Sequence, residues 1–123
     1  MLIDGKIIIA VDFDGTLAET DYPYIKYGKW EVIKYVLSKQ KHGAIIILNT
    51  CRHGKDLENA VTFCKEQYGL VFDYVNENVP ELIEKYGDCR KIAADFYIDD
   101  RAINPFPKIS EQYRYDYELE TML

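Results

Sequence analysis

Acidic side chains occur in two short groups that are far apart in the sequence. Asp12 and Asp14 lie in the segment Asp-Phe-Asp-Gly-Thr, whereas Asp99 and Asp100 are adjacent and follow a short apolar run. Carboxylates that are brought together repel one another unless a cation lies among them. Mg²⁺ prefers oxygen ligands, takes a few carboxylates and often shares its coordination with a phosphate. These residue types predict a site for Mg²⁺ and a phosphorylated substrate, provided that the fold unites the two groups.

The spacing of the first acidic pair suits a division of labour in phosphoryl transfer. A carboxylate such as Asp12 can attack phosphorus and form an aspartyl-phosphate. Asp14, offset by two residues, can protonate the leaving oxygen and then deprotonate the water that hydrolyses the intermediate. Gly15 allows the backbone to turn sharply beside the phosphate. The pattern predicts a phosphatase with Asp12 as nucleophile and Asp14 as acid and base.

Three further polar residues are candidates for contacts with the phosphoryl group. Thr50 and Arg52 follow the second long apolar run, and Lys91 lies shortly before the last one. The Thr50 hydroxyl and the Lys91 ammonium, together with a metal ion, can stabilise charge on the equatorial oxygens. Lys85 is the alternative to Lys91, although it falls within a predicted helix. Arg52 has two equal interpretations, an anchor for the substrate or a partner of a nearby acid.

Apolar patterning predicts the elements that position these residues. Four continuous apolar runs are typical of buried parallel strands, the third being the weakest: 6–11, 44–48, 71–75 and 96–98. Helical spacing of apolar residues occupies the intervals: 30–37, 57–68 and 79–86. This alternation predicts an α/β fold, a three-layer Rossmann-like parallel sheet with helices on both faces. Ligands bind beyond the carboxyl ends of such strands, where the polar residues lie.

Local signals predict two of the helix boundaries. Gly69 is placed to end the second helix. Asn78 is a candidate cap for the third helix, with Pro80 in its first turn and Gly87 just past its end.

Taken in order, the motifs resemble those of the haloacid dehalogenase superfamily. Residues 12–16 match its first motif, Asp-x-Asp-Gly-Thr, and Thr50 is similar to its second motif. Lys91 resembles the third motif, and Asp99 with Asp100 resembles the fourth. The resemblance covers residues 6–101 and implies the fold and the phosphatase chemistry of that superfamily.

The resemblance also implies residue roles. Asp12 is expected to be the nucleophile and Asp14 the acid and base, a position that favours phosphatase over dehalogenase chemistry. Mg²⁺ is expected to bind the Asp12 side chain, the Asp14 backbone carbonyl and a carboxylate of Asp99 or Asp100. Apart from the resemblance, three residues are predicted to contact the substrate, Arg52 with the equal alternative of pairing with a nearby acid: Gly15, Thr16 and Arg52.

No cap domain is expected, because the intervals in which larger members of the superfamily carry one are short here. Residues 17–28 are too few, and 76–88 are accounted for by one helix. We therefore expect a single domain over 1–123, with a core at 6–104 and a C-terminal extension at 105–123. An open site then suits a bulky phosphate, or a small one that a second subunit shields.

Two tyrosine-rich segments leave alternatives open. Tyr22, Tyr24 and Tyr27 lie in the predicted loop after the first motif, where packing against the sheet edge is favoured over a flap across the site. In the extension, Tyr113 and its neighbours alternate as in a strand, but an interface helix or a disordered end also fits. Aromatic enrichment weakly favours an interface, so a homo-oligomer is a possible assembly.

Composition limits the other partners. The chain has 123 residues, with 15 Lys and Arg against 21 Asp and Glu, and a net charge of -6. This charge disfavours nucleic acid as a partner. The apolar run at 7–11 is too short for a membrane span or a signal-peptide core. The three cysteines are odd in number and widely spaced, and they form no zinc-type pair with the two histidines. With no targeting motif visible, a reduced, cytoplasmic protein is expected.

Alternative functions share the same residue types. A phosphotransferase would use an acceptor hydroxyl instead of water. A receiver-like regulatory phosphoacceptor module would also have an acidic Mg²⁺ pocket, a Thr or Ser and a Lys. Receivers place the acidic pair first and the Lys last, whereas here an acidic pair follows Lys91. The sequence does not identify the phosphorylated substrate.

Overall fold

The computed structural model describes residues 1–103, so the extension at 105–123 lies outside the described residues. The elements follow one another in this order: β1 (Ile8–Val11), β2 (Ala18–Asp21), β3 (Tyr24–Gly28), α1 (Trp30–Lys41), β4 (Ile45–Leu48), α2 (Gly54–Tyr68), β5 (Tyr74–Val75), α3 (Pro80–Tyr86) and β6 (Phe96–Ile98).

The main sheet has four parallel strands in the order β5-β4-β1-β6. Its central strand β1 pairs with β4 on one side and β6 on the other, with Val11 opposite both Leu48 and Ile98. All four residues of β1 are buried. The predicted α/β fold with a parallel sheet is confirmed, and each of the four apolar runs contains one of its strands.

The all-apolar runs arise because both faces of the central strands are covered. Ile9 and Val11 belong to an apolar cluster that includes buried residues of α1 and α2. Ile8 and Ala10 belong to a second cluster, which includes Leu82 of α3. Alternate residues of a strand point to opposite faces, so a strand with two covered faces has no solvated position. Each buried Ile contributes roughly 1.5–3 kcal/mol relative to an exposed one.

A two-stranded antiparallel hairpin, formed by β2 and β3, occupies the segment that the sequence predicted as a loop. Its tyrosines do not pack against the sheet edge, and that prediction was wrong. Tyr22, Tyr24 and Tyr27 are 57%, 74% and 59% exposed. The apolar contacts of the hairpin come instead from Ala18 and Ile25, which lie in or against the first cluster.

The ends of the helices agree with the local signals at Gly69 but not at Asn78. Gly69 adopts φ +69 directly after α2, a left-handed conformation that favours glycine. Asn78 does not cap α3, because Val79 occupies the cap position. The Asn78 side chain is buried and bridges two backbone groups instead, accepting from Ala93 N at 2.7 Å and donating to Cys89 O at 2.8 Å.

Two further observations concern residues 1–103 alone. Cys51, Cys64 and Cys89 are free, and burial raises the pKa of the Cys64 thiol to about 12. Among the described helices, none combines the length and the apolar character that a membrane crossing requires.

Candidate active site

The two acidic groups meet because β1 and β6 are parallel neighbours in register. Val11 and Ile98 are paired, so the residues that follow them emerge at the same edge of the sheet. The Asp12 backbone N–H continues the ladder by donating to Ile98 O at 2.9 Å. The expected convergence of Asp12 with the second acidic pair is present in the structure.

Asp12, Asp99 and Asp100 each present a carboxylate oxygen, and these oxygens all lie within 4.8 Å of one another. Thr16 links the two sequence segments, since its hydroxyl lies 3.1 Å from Asp100 Oδ1 and 3.4 Å from Asp12 Oδ2. The Asp100 backbone N–H donates back to Thr16 Oγ1 at 3.0 Å. Thr16 is 4% exposed and is not among the residues that line the cavity. Its hydroxyl contacts the acids, and its position does not support the predicted contact with substrate.

Gly15 is required by a close approach between the first motif and the second acidic pair. Its φ is +81, and a Cβ built there would lie 2.5 Å from Asp100 Oδ2. Both the backbone conformation and the space therefore disfavour a side chain at this position.

The electrostatics of Asp12 reflect this crowding. The pKa of the Asp12 carboxyl is raised to about 6, chiefly by burial and also by the charges of Asp99, Asp100 and Asp14, against a backbone hydrogen bond that lowers it. A cation between these oxygens would remove the repulsion.

This donor set could hold a metal ion, and its carboxylate oxygens are the ligand type that Mg²⁺ prefers. Two oxygens bound to one Mg²⁺ lie roughly 3–4 Å apart, since each ligand distance is about 2.0–2.1 Å. The oxygens of Asp12, Asp99 and Asp100 lie within 4.8 Å of one another, so small movements of the side chains would bring them to one cation. Zinc is disfavoured because no sulfur or imidazole ligand accompanies them in the cluster.

Asp14 has a different environment from Asp12. Arg52 Nε donates to Asp14 Oδ2 at 2.8 Å, and Arg52 Nη2 donates to Asp14 Oδ1 at 2.7 Å. The Thr20 hydroxyl of the hairpin donates to Asp14 Oδ1 at 2.8 Å. The hydrogen bond to Arg52 lowers the pKa of Asp14 and raises that of Arg52. Of the two interpretations of Arg52, the structure shows the ion pair with an acid.

These residues surround an open cavity of about 580 Å³. It contains both acidic groups together with residues of the hairpin and of the loop after β4. Its lining consists of Asp12, Asp14, Gly15, Glu19, Thr20, Asp21, Tyr22, Thr50, Cys51, Arg52, Asp99, Asp100 and Arg101. The cavity lies beyond the carboxyl ends of β1, β4 and β6, where a parallel sheet is expected to bind ligands.

Thr50 reaches this cavity through a turn that follows β4. Its backbone N–H donates to Asn76 Oδ1 at 2.8 Å, and its hydroxyl oxygen accepts from Arg52 N at 3.1 Å. The hydroxyl proton of Thr50 is not used by this bond, so it can point to an oxygen in the cavity. The position of Thr50 is compatible with the predicted contact to a phosphoryl group.

Comparison with known proteins identifies a relative. A solved structure of a conserved protein from Bacteroides thetaiotaomicron is 34% identical to this chain, with a TM-score of 0.70. The match covers 91% of this chain and 93% of that protein. This chain belongs to the same family as that conserved protein. Its description names no activity, and no protein-family model or curated protein matches the chain.

Lys91 is not brought to the cavity with the other predicted residues. Its ammonium lies over the Tyr97 ring, 5.2 Å from the centroid, and Lys91 is absent from the lining. Tyr97 pairs with Ala10, whose side chain belongs to the cluster around α3. Lys85 lies elsewhere as well, over the Tyr86 ring. The predicted catalytic role of Lys91 therefore gains no support from its position.

Several residues at the site were not predicted. Lys29 Nζ donates to Gly15 O at 3.0 Å and pairs with Glu19 at 3.4 Å, which fixes the turn of the first motif to the hairpin. Thr20 and Arg101 line the cavity directly. The position of Arg101 directly after Asp100 in the sequence could have predicted its place at the site. The roles of Lys29 and Thr20 depend on the hairpin, whose short polar strands have no recognisable sequence pattern.

Proposed function

We propose that this protein is a Mg²⁺-dependent phosphatase that hydrolyses a phosphate monoester through an aspartyl-phosphate on Asp12. The observation that supports the proposal is the shared cavity, in which the Asp12 carboxylate lies near those of Asp99 and Asp100 and which Asp14 also lines. The four sequence motifs support the same chemistry through their resemblance to the haloacid dehalogenase superfamily.

The reaction requires two displacements at phosphorus. In the first, an Asp12 carboxylate oxygen forms a bond to phosphorus, the ester P–O bond breaks, and the leaving oxygen takes a proton from Asp14. In the second, Asp14 removes a proton from water, whose oxygen attacks phosphorus and releases phosphate and the free Asp12 carboxylate. The ion pair between Asp14 and Arg52 favours the ionised form of Asp14, and so it suits the second step best.

Charge on the phosphoryl oxygens requires stabilisation from several sources. Mg²⁺ held by Asp12, Asp99 or Asp100, and the Asp14 carbonyl would supply a positive charge beside those oxygens. Thr50 offers a hydroxyl proton, and Arg101 lines the cavity as a second positive group. We leave Lys91 out of this scheme because its ammonium stacks on Tyr97.

The finer fold assignment is part of the same proposal. We infer a three-layer, capless member of the haloacid dehalogenase superfamily that acts in the cytoplasm. Two apolar clusters divide the residues of β1 between them, which supports helices on both faces. Between β1 and α1 the described chain has only the β2–β3 hairpin, which supports the absence of a cap there. The order of the acids argues against a receiver module.

The decisive experiment compares Asp12→Asn with the unchanged protein on an aryl phosphate, with Mg²⁺ and with a chelator. We expect Asp12→Asn to lower kcat by about a thousandfold or more, as for a lost nucleophile. Chelation should abolish activity, and Mg²⁺ should restore it. Asp4→Asn is the matched control, because Asp4 is exposed and lies outside the cavity.

Full activity of Asp12→Asn would exclude Asp12 as the nucleophile. Adding a high concentration of an alcohol to the same assay separates hydrolysis from phosphotransfer. A phosphatase releases inorganic phosphate in the same amount as the phenol from the aryl phosphate, whereas a phosphotransferase releases less inorganic phosphate than phenol and forms the phosphate ester of the added alcohol.

A further inference from the structure

Arg52 is held in place by more contacts than its ion pair alone. It is 1% exposed, and Nη1 donates to the carbonyl oxygens of Pro23 and Asp56 at 3.2 and 3.3 Å. Its Nε and Nη2 atoms each donate to Asp14. The guanidinium therefore joins the hairpin, the first turn of α2 and the predicted acid and base.

Two aromatic rings cover the guanidinium. The Cζ atom of Arg52 lies 5.0 Å from the ring centroid of Phe13 and 5.0 Å from that of Tyr22. Phe13 is fully buried, but Tyr22 is 57% exposed and lines the cavity. An Arg cation is attracted to the faces of aromatic rings, and the attraction grows when water is excluded. The Tyr22 ring thus separates the Arg52 guanidinium from solvent, whereas the Phe13 ring contacts it from the protein interior.

Tyr22 itself is held against α2. Its hydroxyl donates to Asp56 Oδ2 at 3.1 Å, in the first turn of that helix. The bond ties the hairpin to α2, in addition to the contact from Arg52 to Pro23 O. Tyr24, on the same hairpin, is 74% exposed and has no place in the cavity lining.

We infer that Tyr22 is a positioning residue for the phosphatase reaction, because its ring keeps Arg52 in the orientation that holds Asp14 by two hydrogen bonds. This inference rests on the proposed function. Without the ring, water reaches the guanidinium and competes for its donors, and Arg52 gains freedom to rotate. Asp14 then loses its fixed position relative to phosphorus and to the attacking water. Small errors in the position of a catalytic group cost large factors in rate, up to about a hundredfold for 1 Å.

The kinetic test compares Tyr22→Ala, Tyr22→Phe and Tyr24→Ala on an aryl phosphate with Mg²⁺. We expect Tyr22→Ala to lower kcat by about tenfold and to change KM by less than about twofold. Tyr22→Phe keeps the ring and should restore most of kcat. Tyr24→Ala should match the unchanged protein.

Two kinetic outcomes would overturn the inference. A rise in KM at constant kcat for Tyr22→Ala would mean that the ring binds substrate directly. Equal losses in Tyr22→Ala and Tyr22→Phe would assign the effect to the hydrogen bond with Asp56 instead of the ring.

A second readout does not depend on activity. A buried guanidinium that makes two hydrogen bonds to Asp14 should give a slowly exchanging Arg52 Nε–H resonance in ¹H–¹⁵N NMR spectra. We expect this resonance to persist in Tyr22→Phe and Tyr24→Ala, and to exchange at least about tenfold faster in Tyr22→Ala, once water reaches the guanidinium. An unchanged exchange rate in Tyr22→Ala would overturn the inference. Failure of the proposed function is recognised separately, by absence of Mg²⁺-dependent hydrolysis in the unchanged protein.

Discussion

Asp12 and Asp14 are two residues apart and experience opposite electrostatic environments. Asp12 faces Asp99 and Asp100 with no side-chain cation bonded to it among the described residues, and burial raises its pKa to about 6. Asp14 is held by Arg52 through two hydrogen bonds, which lower its pKa. The charge of Asp14 is therefore neutralised by a residue of the protein, whereas the charge of Asp12 is not neutralised by a side chain of the described residues.

The difference shows which of the two carboxylates the fold provides with a positively charged partner. Arg52 is buried between two rings and is committed to Asp14, so it cannot neutralise the cluster around Asp12. The fold thus fixes the Asp14 carboxylate and leaves an acidic group around Asp12 that could bind a metal ion. Burial and the neighbouring acids disfavour the charged form of Asp12 in the folded state.

The largest expected effect comes from breaking the matched pair. Asp14→Asn leaves the Arg52 guanidinium buried without a countercharge, and such losses cost about 3–5 kcal/mol in fully buried pairs. Because Asp14 is 31% exposed, we expect a smaller destabilisation of about 2 kcal/mol. Urea unfolding at neutral pH measures it, with Asp4→Asn as the control. An unchanged unfolding midpoint would mean that the pair contributes nothing to the fold.

The unmatched acid should respond in the opposite direction. Asp12→Asn removes a charge from a crowded cluster, so we expect the metal-free protein to become more stable by about 1 kcal/mol, a value discounted for the partial exposure of Asp12. Mg²⁺ should raise the Tm of the unchanged protein and much less that of Asp12→Asn, because the cation binds the folded state through this carboxylate. Destabilisation of the metal-free variant would contradict the contrast between the two acids.

The sequence contained enough to predict the convergence of the acids, but not this contrast between them. Uninterrupted apolar runs such as 6–11 indicate strands covered on both faces, and parallel strands place the following residues at one edge. Hence Asp12, Asp99 and Asp100 were predicted together. The path of the loop after β4 decides which acid Arg52 pairs with. Residue types and spacing do not predict that path.

The hairpin and Lys91 show two further limits of the sequence. Strands β2 and β3 are short, mostly polar and largely exposed, so they lack the apolar alternation by which a strand is recognised. Lys91 was assigned by resemblance to a motif, yet it lies in an irregular segment before β6 in which order along the chain does not fix the direction of a side chain. Asn78 likewise has the type of a helix cap but bonds to Cys89 and Ala93.

The pH dependence of stability should sharpen the contrast further. The folded pKa of Asp12 is raised from 3.8 to about 6. Its contribution is therefore fully present below pH 3.8 and is lost as pH rises through about 6. The pKa of Asp14 is lowered from 3.8, so its contribution is present above that pH and lost as pH falls below it. We expect the metal-free protein to gain stability relative to Asp12→Asn between pH 7 and pH 4, by less than about 1 kcal/mol after discounting for exposure.

Urea midpoints at closely spaced pH values, for the unchanged protein and both variants, measure these differences. Asp14→Asn should differ least from the unchanged protein at the acidic end of the range. Parallel profiles for the unchanged protein and Asp12→Asn would show that Asp12 does not titrate abnormally in the folded state.

The smallest expected effect tests whether a lysine supplies the charge that the cluster around Asp12 lacks. Lys91 stacks on Tyr97 outside the cavity, so we expect Lys91→Ala to change kcat/KM for an aryl phosphate by less than about twofold. Lys85→Ala is the matched control, because Lys85 also stacks on a neighbouring tyrosine, Tyr86. A loss of about a hundredfold or more in Lys91→Ala alone would show that the ammonium leaves Tyr97 and stabilises the transferring phosphoryl group. In that event Lys91 would supply positive charge beside Asp12 during the reaction only, whereas Arg52 already pairs with Asp14 in the free protein.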